Sequence, residues 1–227
     1  FGAETISPAR INRHLAAMTI AELRRHRVHS GHFDWTLLDC LPRPAFVFSI
    51  FRDPLDRLLS LYFFLRREEQ RRTPAAAGPR SICALSPDDY LASPNPQFRA
   101  ARDQDFDNFY TYFLAGRTIG ARRRLLDLPD HQRSDARLLD MALENLTQLN
   151  GAYTTSTLDR LEQDLLRQTP NTAATGLAAI RANQGDSATR QQRLEQLRAL
   201  GATAVTFDRL EEMTRLDRVI WAHVAGA

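Results

Sequence analysis

The chain has no lysine. All 30 of its basic residues are arginine, set against 27 Asp and Glu, so the formal charge is only +3. So small an excess, with no recognition motif beside it, argues against nucleic-acid binding, which needs a concentrated basic face. Cysteine is scarce too. Cys40 and Cys83 lack any metal-ligand spacing and suit either two free thiols or one disulfide. Long apolar runs are missing: the richest stretches, Ala45 to Phe51 and Leu58 to Leu65, are short and broken by polar residues, well under the ~20 residues that span a bilayer. No signal-peptide pattern opens the chain, which begins at Phe1. The location expected from these absences is the cytoplasm.

What is present is enough for one sizeable core: 227 residues, 43% of them hydrophobic. The exclusive use of arginine fits a GC-rich coding bias. It also fits anion recognition, because a guanidinium offers phosphate, sulfate or carboxylate a planar fork of donors. Along the chain, Thr19 is placed to cap a helix over Ile20 to His26, and Arg27 to Phe33 reads as extended. Ala45 to Ile50 is aromatic and β-branched after a Pro-rich turn, the pattern of a buried central strand. Asp53 and Pro54 then open a helix to about Glu69. Thr73 to Pro96 is a Pro, Ala and Ser-rich excursion with a short helix opening at Ser86-Pro87. Helices are predicted over Asp105 to Leu114, Arg133 to Leu149, Ala188 to Leu200 and Phe207 to Val224, and a strand over Gly151 to Thr154. Strands each followed by helices predict a helix-rich α/β domain with a parallel sheet.

The informative stretch is Phe46 to Tyr62. Arg52 follows a strand at its carboxyl end, where open α/β sheets bind ligands, and a helix N-terminus comes next, which favours anions. A 3.6-residue period puts Asp56, Arg57, Ser60 and Arg67 on one face. Arg52 and the Ser60 hydroxyl then form a clamp for one phosphate. The plainer alternative is an amphipathic helix whose Asp53 and Arg57 make a local ion pair.

Arg52-Asp53-Pro54 with Arg57, Ser60 and Tyr62 resembles the 3′-phosphate motif of membrane-type carbohydrate sulfotransferases. The run Tyr62 to Arg66 is similar to the uronyl and heparan sulfate 2-O-sulfotransferases and their bacterial relatives. Ser30 to Phe33, Asp107 to Tyr110 with Phe113 to Gly116, and Leu138 to Leu149 with Thr214 to Arg218 resemble further elements of that family, so the likeness runs over about residues 27 to 224. The resemblance implies a P-loop-like three-layer fold, a central parallel sheet flanked by helices. It implies transfer of a sulfuryl group from 3′-phosphoadenosine 5′-phosphosulfate (PAPS) to a hydroxyl of a carbohydrate, with no metal. Arg52 and Ser60 hold the 3′-phosphate, and His32, matching the second His of a His-Gly-His element, is the general base. Arg66 and Arg67 sit where the family holds an anionic saccharide acceptor, and Asn183 matches an Asn near the nucleotide.

Two departures accompany the likeness. The family's 5′-phosphosulfate loop, a Lys-Thr/Ser-rich turn ahead of Ser30, has no counterpart in this lysine-free chain, and Gly151 to Thr155 matches a Gly-hydrophobic-Thr-Glu element only in part. The expectation is therefore a single sulfotransferase domain over residues 1–227 without its first strand and 5′-phosphosulfate loop. It should transfer sulfate poorly unless extended at the N-terminus. The alternative is a non-catalytic homologue that binds nucleotide or anionic glycan.

Overall fold

The structure, a computed structural model, describes residues 6–41, 44–71, 82–168 and 188–226. Asn183 and the first part of the expected Pro-rich excursion lie outside the described residues. In chain order the elements are α1 (Asn12–Ala16), α2 (Ile20–Arg25), α3 (Trp35–Leu38), β1 (Phe48–Phe51), α4 (Pro54–Arg71), α5 (Pro87–Leu91) and α6 (Pro96–Phe106). There follow α7 (Phe109–Gly116), α8 (Ala121–Leu126), a 3-10 turn at Asp130–Gln132, α9 (Asp135–Leu146), β2 (Gly151–Thr154), α10 (Leu158–Gln168), α11 (Arg190–Ala199) and α12 (Ala204–Ala225). Helix dominates, and β1 pairs with β2 in a small parallel sheet, so the class is α/β. The chain divides into two compact units, residues 1–50 with 110–178 and residues 51–109 with 179–227. Both cysteines are free thiols, Cys40 exposed and Cys83 half-buried.

In the first unit the helix starts follow local chemistry. Thr19 Oγ1 accepts the Glu22 N–H at 3.2 Å while the Glu22 carboxylate accepts the Thr19 N–H at 2.7 Å, a reciprocal cap for α2. The extended segment after α2 forms parallel bridges, Val28 with Ile6 and His32 with Ile11. Ala9, Leu15, Leu23 and Phe33 bury together beneath it. A glycine is required at position 31, because a Cβ there would lie 2.5 Å from the Arg10 carbonyl oxygen.

The strand expected at Ala45 to Ile50 begins three residues later and is not buried. Phe48 and Ile50 are 37% and 43% exposed, and in β1 only Phe51 is buried. The reason is the small sheet. Among the described residues β1 has one strand neighbour, and the pairing stops at Val47, where Asn150 closes it: Asn150 N–H donates to the Val47 carbonyl at 2.8 Å and Asn150 Oδ1 accepts the Val47 N–H at 2.8 Å.

The second unit is built around α4. Its Leu58, Leu59, Tyr62 and Phe63 pack with Ile82, Tyr90, Leu91, Phe106, Leu197, Leu210 and Met213. The helix expected over Asp105 to Leu114 is broken at Asn108, which adopts a left-handed conformation with φ 43°. Asn is the residue type besides Gly that accepts this conformation most readily. The break serves α12. The Asn108 N–H donates to the Met213 carbonyl at 2.6 Å, and its Nδ2 donates to the Glu212 carbonyl at 3.1 Å. Its Oδ1 accepts the N–H groups of Leu216 at 2.8 Å and Asp217 at 3.3 Å. Those four groups are the ones that pair with each other across one turn of a regular helix, so Asn108 is spliced into the ladder of α12. Beside it lies a buried ionic chain. Arg102 Nε donates to Asp103 at 2.7 Å, and Arg209 Nη2 reaches the other Asp103 oxygen at 2.9 Å. Neither Arg102 nor Asp103 exposes more than 2% of its side chain. Each charge is thus paired where an unpaired one would be costly.

Replacing Asn108 by Ala is expected to lower the unfolding free energy by about 2–4 kcal/mol, through lost buried hydrogen bonds and the strained φ. Asn108→Gly should cost about 1 kcal/mol less, because glycine accepts that φ freely. Urea unfolding of both variants is the measurement, and equal losses would mean that the backbone conformation carries no strain.

A second expectation concerns pH. Asp88 on α5 accepts the Thr203 N–H at 3.0 Å and the Thr203 hydroxyl at 2.6 Å, and also the Thr206 hydroxyl, and so fastens the start of α12. Burial pushes the Asp88 carboxyl up, but the hydrogen bonds from Thr203 and Thr206 outweigh it and hold the group below the usual carboxylate range. A folded-state value below the unfolded one stabilises fully above the unfolded pKa, about 3.9 for Asp, and is lost as pH falls through the folded value. Asp88→Asn should cost about 1 kcal/mol at neutral pH through the weakened cap, and the difference from wild type should shrink as pH falls below about 4. Urea unfolding across that range checks it; a difference unchanged at the acid end assigns the effect to something other than the charge.

Candidate functional site

Arg52 stands where the chain leaves β1 and enters α4. Phe51 before it is 2% exposed and anchors the strand end, while Arg52 itself is half-buried. Asp53 then caps the helix: its Oδ1 accepts the Asp56 N–H at 3.1 Å and its carbonyl accepts the Arg57 N–H at 2.9 Å. Pro54 fills the first helical position, where a missing N–H costs nothing. The strand, arginine and helix start thus fall in the order that the sequence predicts.

The same helix sorts its polar residues more finely than the period alone suggested. At 100° per residue Asp56, Ser60 and Arg67 fall within an arc of about 40°, with Arg57 about 60° beyond it. Asp56 and Arg67 border α11. Arg190, the first residue of α11, donates from Nε to Asp56 at 2.7 Å and lies 3.0 Å through Nη2 from Asp53. Its hydrogen bond to Asp56 pushes the guanidinium above its ordinary value, so it stays charged. Arg57 turns the other way. Both of its terminal nitrogens donate to the Asp105 carbonyl at 3.0 Å, and its guanidinium covers the Phe109 ring at 4.0 Å. The Asp53 carboxylate pairs with a distant arginine, which the local reading of Asp53 and Arg57 did not anticipate. No sequence signal at either site marks Arg190, because the pairing joins residues over a hundred positions apart.

Arg66 and Arg67 lie farther along α4, where an open groove of about 340 Å³ is lined by Phe63, Arg66, Arg67, Gln70, Gln196 and Leu200. Arg66 Nη1 donates to the Ile82 carbonyl at 2.6 Å and its guanidinium lies 5.9 Å from the Tyr62 ring, which ties α4 to Ile82. Cys83 adds to this junction, accepted by the Glu69 carboxylate through its N–H at 2.8 Å.

His32 belongs to the first unit, and Arg52, Ser60, Arg66 and Arg67 belong to the second. His32 is exposed, and its backbone N–H is fixed to the Arg10 carbonyl at 2.8 Å. The neighbouring His29 is spoken for: its Nε2 meets the Leu23 carbonyl at 3.2 Å, and burial lowers its pKa. Asp107 and Asn108, taken in the sequence as part of one helix, form the break that holds α12. Among the described residues no group of three or more His, Cys, Asp or Glu is placed to hold a metal ion, and no helix is long and apolar enough to cross a membrane.

Comparisons with protein families, with curated proteins and with solved structures found no match to this chain.

The bond from Arg66 to Ile82 is open to test. Arg66→Ala should lower stability by about 1–2 kcal/mol through loss of the charged hydrogen bond to the Ile82 carbonyl. Denaturant unfolding is the measurement; an unchanged midpoint would mean that this bond adds nothing to stability.

Proposed function

We propose that this chain is a sulfotransferase domain that binds PAPS and sulfates a hydroxyl of a carbohydrate acceptor. The observation that supports it is the placing of Arg52 between the end of β1 and the capped start of α4, with Ser60 half-buried two turns along the same helix. A half-buried arginine beside helix N–H groups matches what a phosphate dianion requires. The finer architecture in this reading is a P-loop-like three-layer domain, its parallel sheet flanked by helices.

When bound, PAPS supplies the sulfuryl group and leaves as adenosine 3′,5′-bisphosphate. Arg52 gives the 3′-phosphate a charged fork of donors, and Ser60 adds a neutral donor. His32 takes the proton from the acceptor hydroxyl as the new S–O bond forms, a general-base task that an imidazole can perform. Arg66 and Arg67 meet the anionic groups of the saccharide. The chain's part is positioning and charge stabilisation, the same demands that phosphoryl transfer makes.

Calorimetry with adenosine 3′,5′-bisphosphate, and with 5′-AMP as control, tests the half-site. Arg52→Ala should weaken the bisphosphate by about 2–4 kcal/mol and Ser60→Ala by about 1 kcal/mol, with 5′-AMP little changed. Equal affinity of the wild-type protein for both nucleotides would refute a 3′-phosphate site. In a sulfate-transfer assay on hydroxylated saccharides, His32→Ala should lower kcat by roughly 10²–10⁴. Specific bisphosphate binding without transfer to any acceptor would instead indicate a nucleotide-binding homologue.

A further inference from the structure

We propose that Arg190 is a positioning residue for the anion site at Arg52 and Ser60: it offsets part of the charge of Asp53 and Asp56, so that the two carboxylates oppose a bound phosphate less. The inference rests on the PAPS reading and adds to it a residue that neither the motif nor its spacing contains.

The start of α4 poses an electrostatic conflict. Asp53 is needed as the helix cap, since its Oδ1 holds the Asp56 N–H, and Asp56 occupies the first turn. Both carboxylates favour the helix dipole. Both also repel the anion that Arg52 and Ser60 would hold. Asp56 lies one turn before Ser60 on the same arc, about 6 Å along the axis by helix rise, and Asp53 directly follows Arg52. A like charge at such a distance opposes phosphate binding.

Arg190 eases the conflict without removing the cap. One guanidinium bridges the two carboxylates, with Nη2 at 3.0 Å from Asp53 and Nε at 2.7 Å from Asp56. Its position is fixed locally. Thr189 caps α11 by a reciprocal bond with Gln192, the Thr189 N–H donating to Gln192 Oε1 at 2.8 Å, which sets Arg190 as the first helical residue. Leu194 and Leu197 of α11 pack into the core that α4 shares, holding the two helices side by side. At the start of α4 the arginines at 52 and 190 then balance the carboxylates at 53 and 56, while Arg57 is turned toward Asp105. Arg190 itself remains 46% exposed in its side chain.

The test is the affinity for adenosine 3′,5′-bisphosphate, measured by calorimetry beside 5′-AMP at low and high salt. Arg190→Gln should weaken the bisphosphate about tenfold at low salt, with a smaller effect at high salt and little effect on 5′-AMP. Adding Asp56→Asn to Arg190→Gln should restore most of the loss, because the repelling charge goes with its partner. Asp56→Asn alone, which leaves Arg190 on Asp53, should bind the bisphosphate at least as tightly as wild type, and this keeps the proposal testable should Arg190→Gln fold poorly. If wild type prefers the bisphosphate and Arg190→Gln binds it equally well, the positioning role is overturned and the PAPS reading stands. A double variant as weak as Arg190→Gln would show a structural effect and overturn the role as well. If wild type has no preference for the bisphosphate, both fall together.

Discussion

One side chain holds the second unit in register. Asn108 offers a donor and an acceptor at the reach of a short amide, and it supplies a left-handed backbone that few other residues tolerate. Through it the junction of α6 and α7 is fixed to the middle of α12. Asp103, one turn before Phe106, adds a buried ion pair to Arg209 on the same stretch of α12. Arg57 then carries the constraint to α4, because it grips the Asp105 carbonyl and covers Phe109, the residues on either side of the break. The helix that carries Arg52 and Ser60 at its start is therefore positioned by a polar chain as well as by its apolar face.

The two sides of α4 divide the work. Toward Phe109 it presents Arg57, committed to holding the junction. Toward α11 it presents Asp56 and Arg67, with Arg190 at one end and the groove containing Gln70 and Gln196 toward the other. Arginine serves both tasks because one planar group can grip a carbonyl, stack on a ring or bridge two carboxylates. In a chain without lysine, a count of basic residues says little about how many cations are available to ligands. Arg57, Arg102 and Arg209 are all engaged with main-chain carbonyls or buried acids.

The elements that were legible in the sequence are those written in local chemistry. Asp53 and Pro54 mark the start of α4, Thr19 that of α2 and Ser86 that of α5, and the structure places a helix after each. Gly151 to Thr154 is a strand where the pattern put one. What escaped the sequence depends on partners far along the chain. The apolar run of β1 was read as buried, but burial depends on how many strands flank it, and composition does not carry that number. The break at Asn108 looked like helix interior because the reason for it lies on α12. Arg190 was one arginine among thirty until Asp53 and Asp56 were seen opposite it.

The splice of Asn108 into α12 has a consequence for the dynamics of that helix. In an isolated helix, main-chain protons are released by fraying from the ends, so protection against exchange with solvent rises smoothly toward the middle. The Leu216 and Asp217 amides share their bonds with a side chain from between α6 and α7. Their exposure is thus linked to the opening of that junction, and α12 becomes two segments with separate clocks. The residues before Met213 report on the core packed against α4, and those at 216 and 217 report on whether Asn108 is in place.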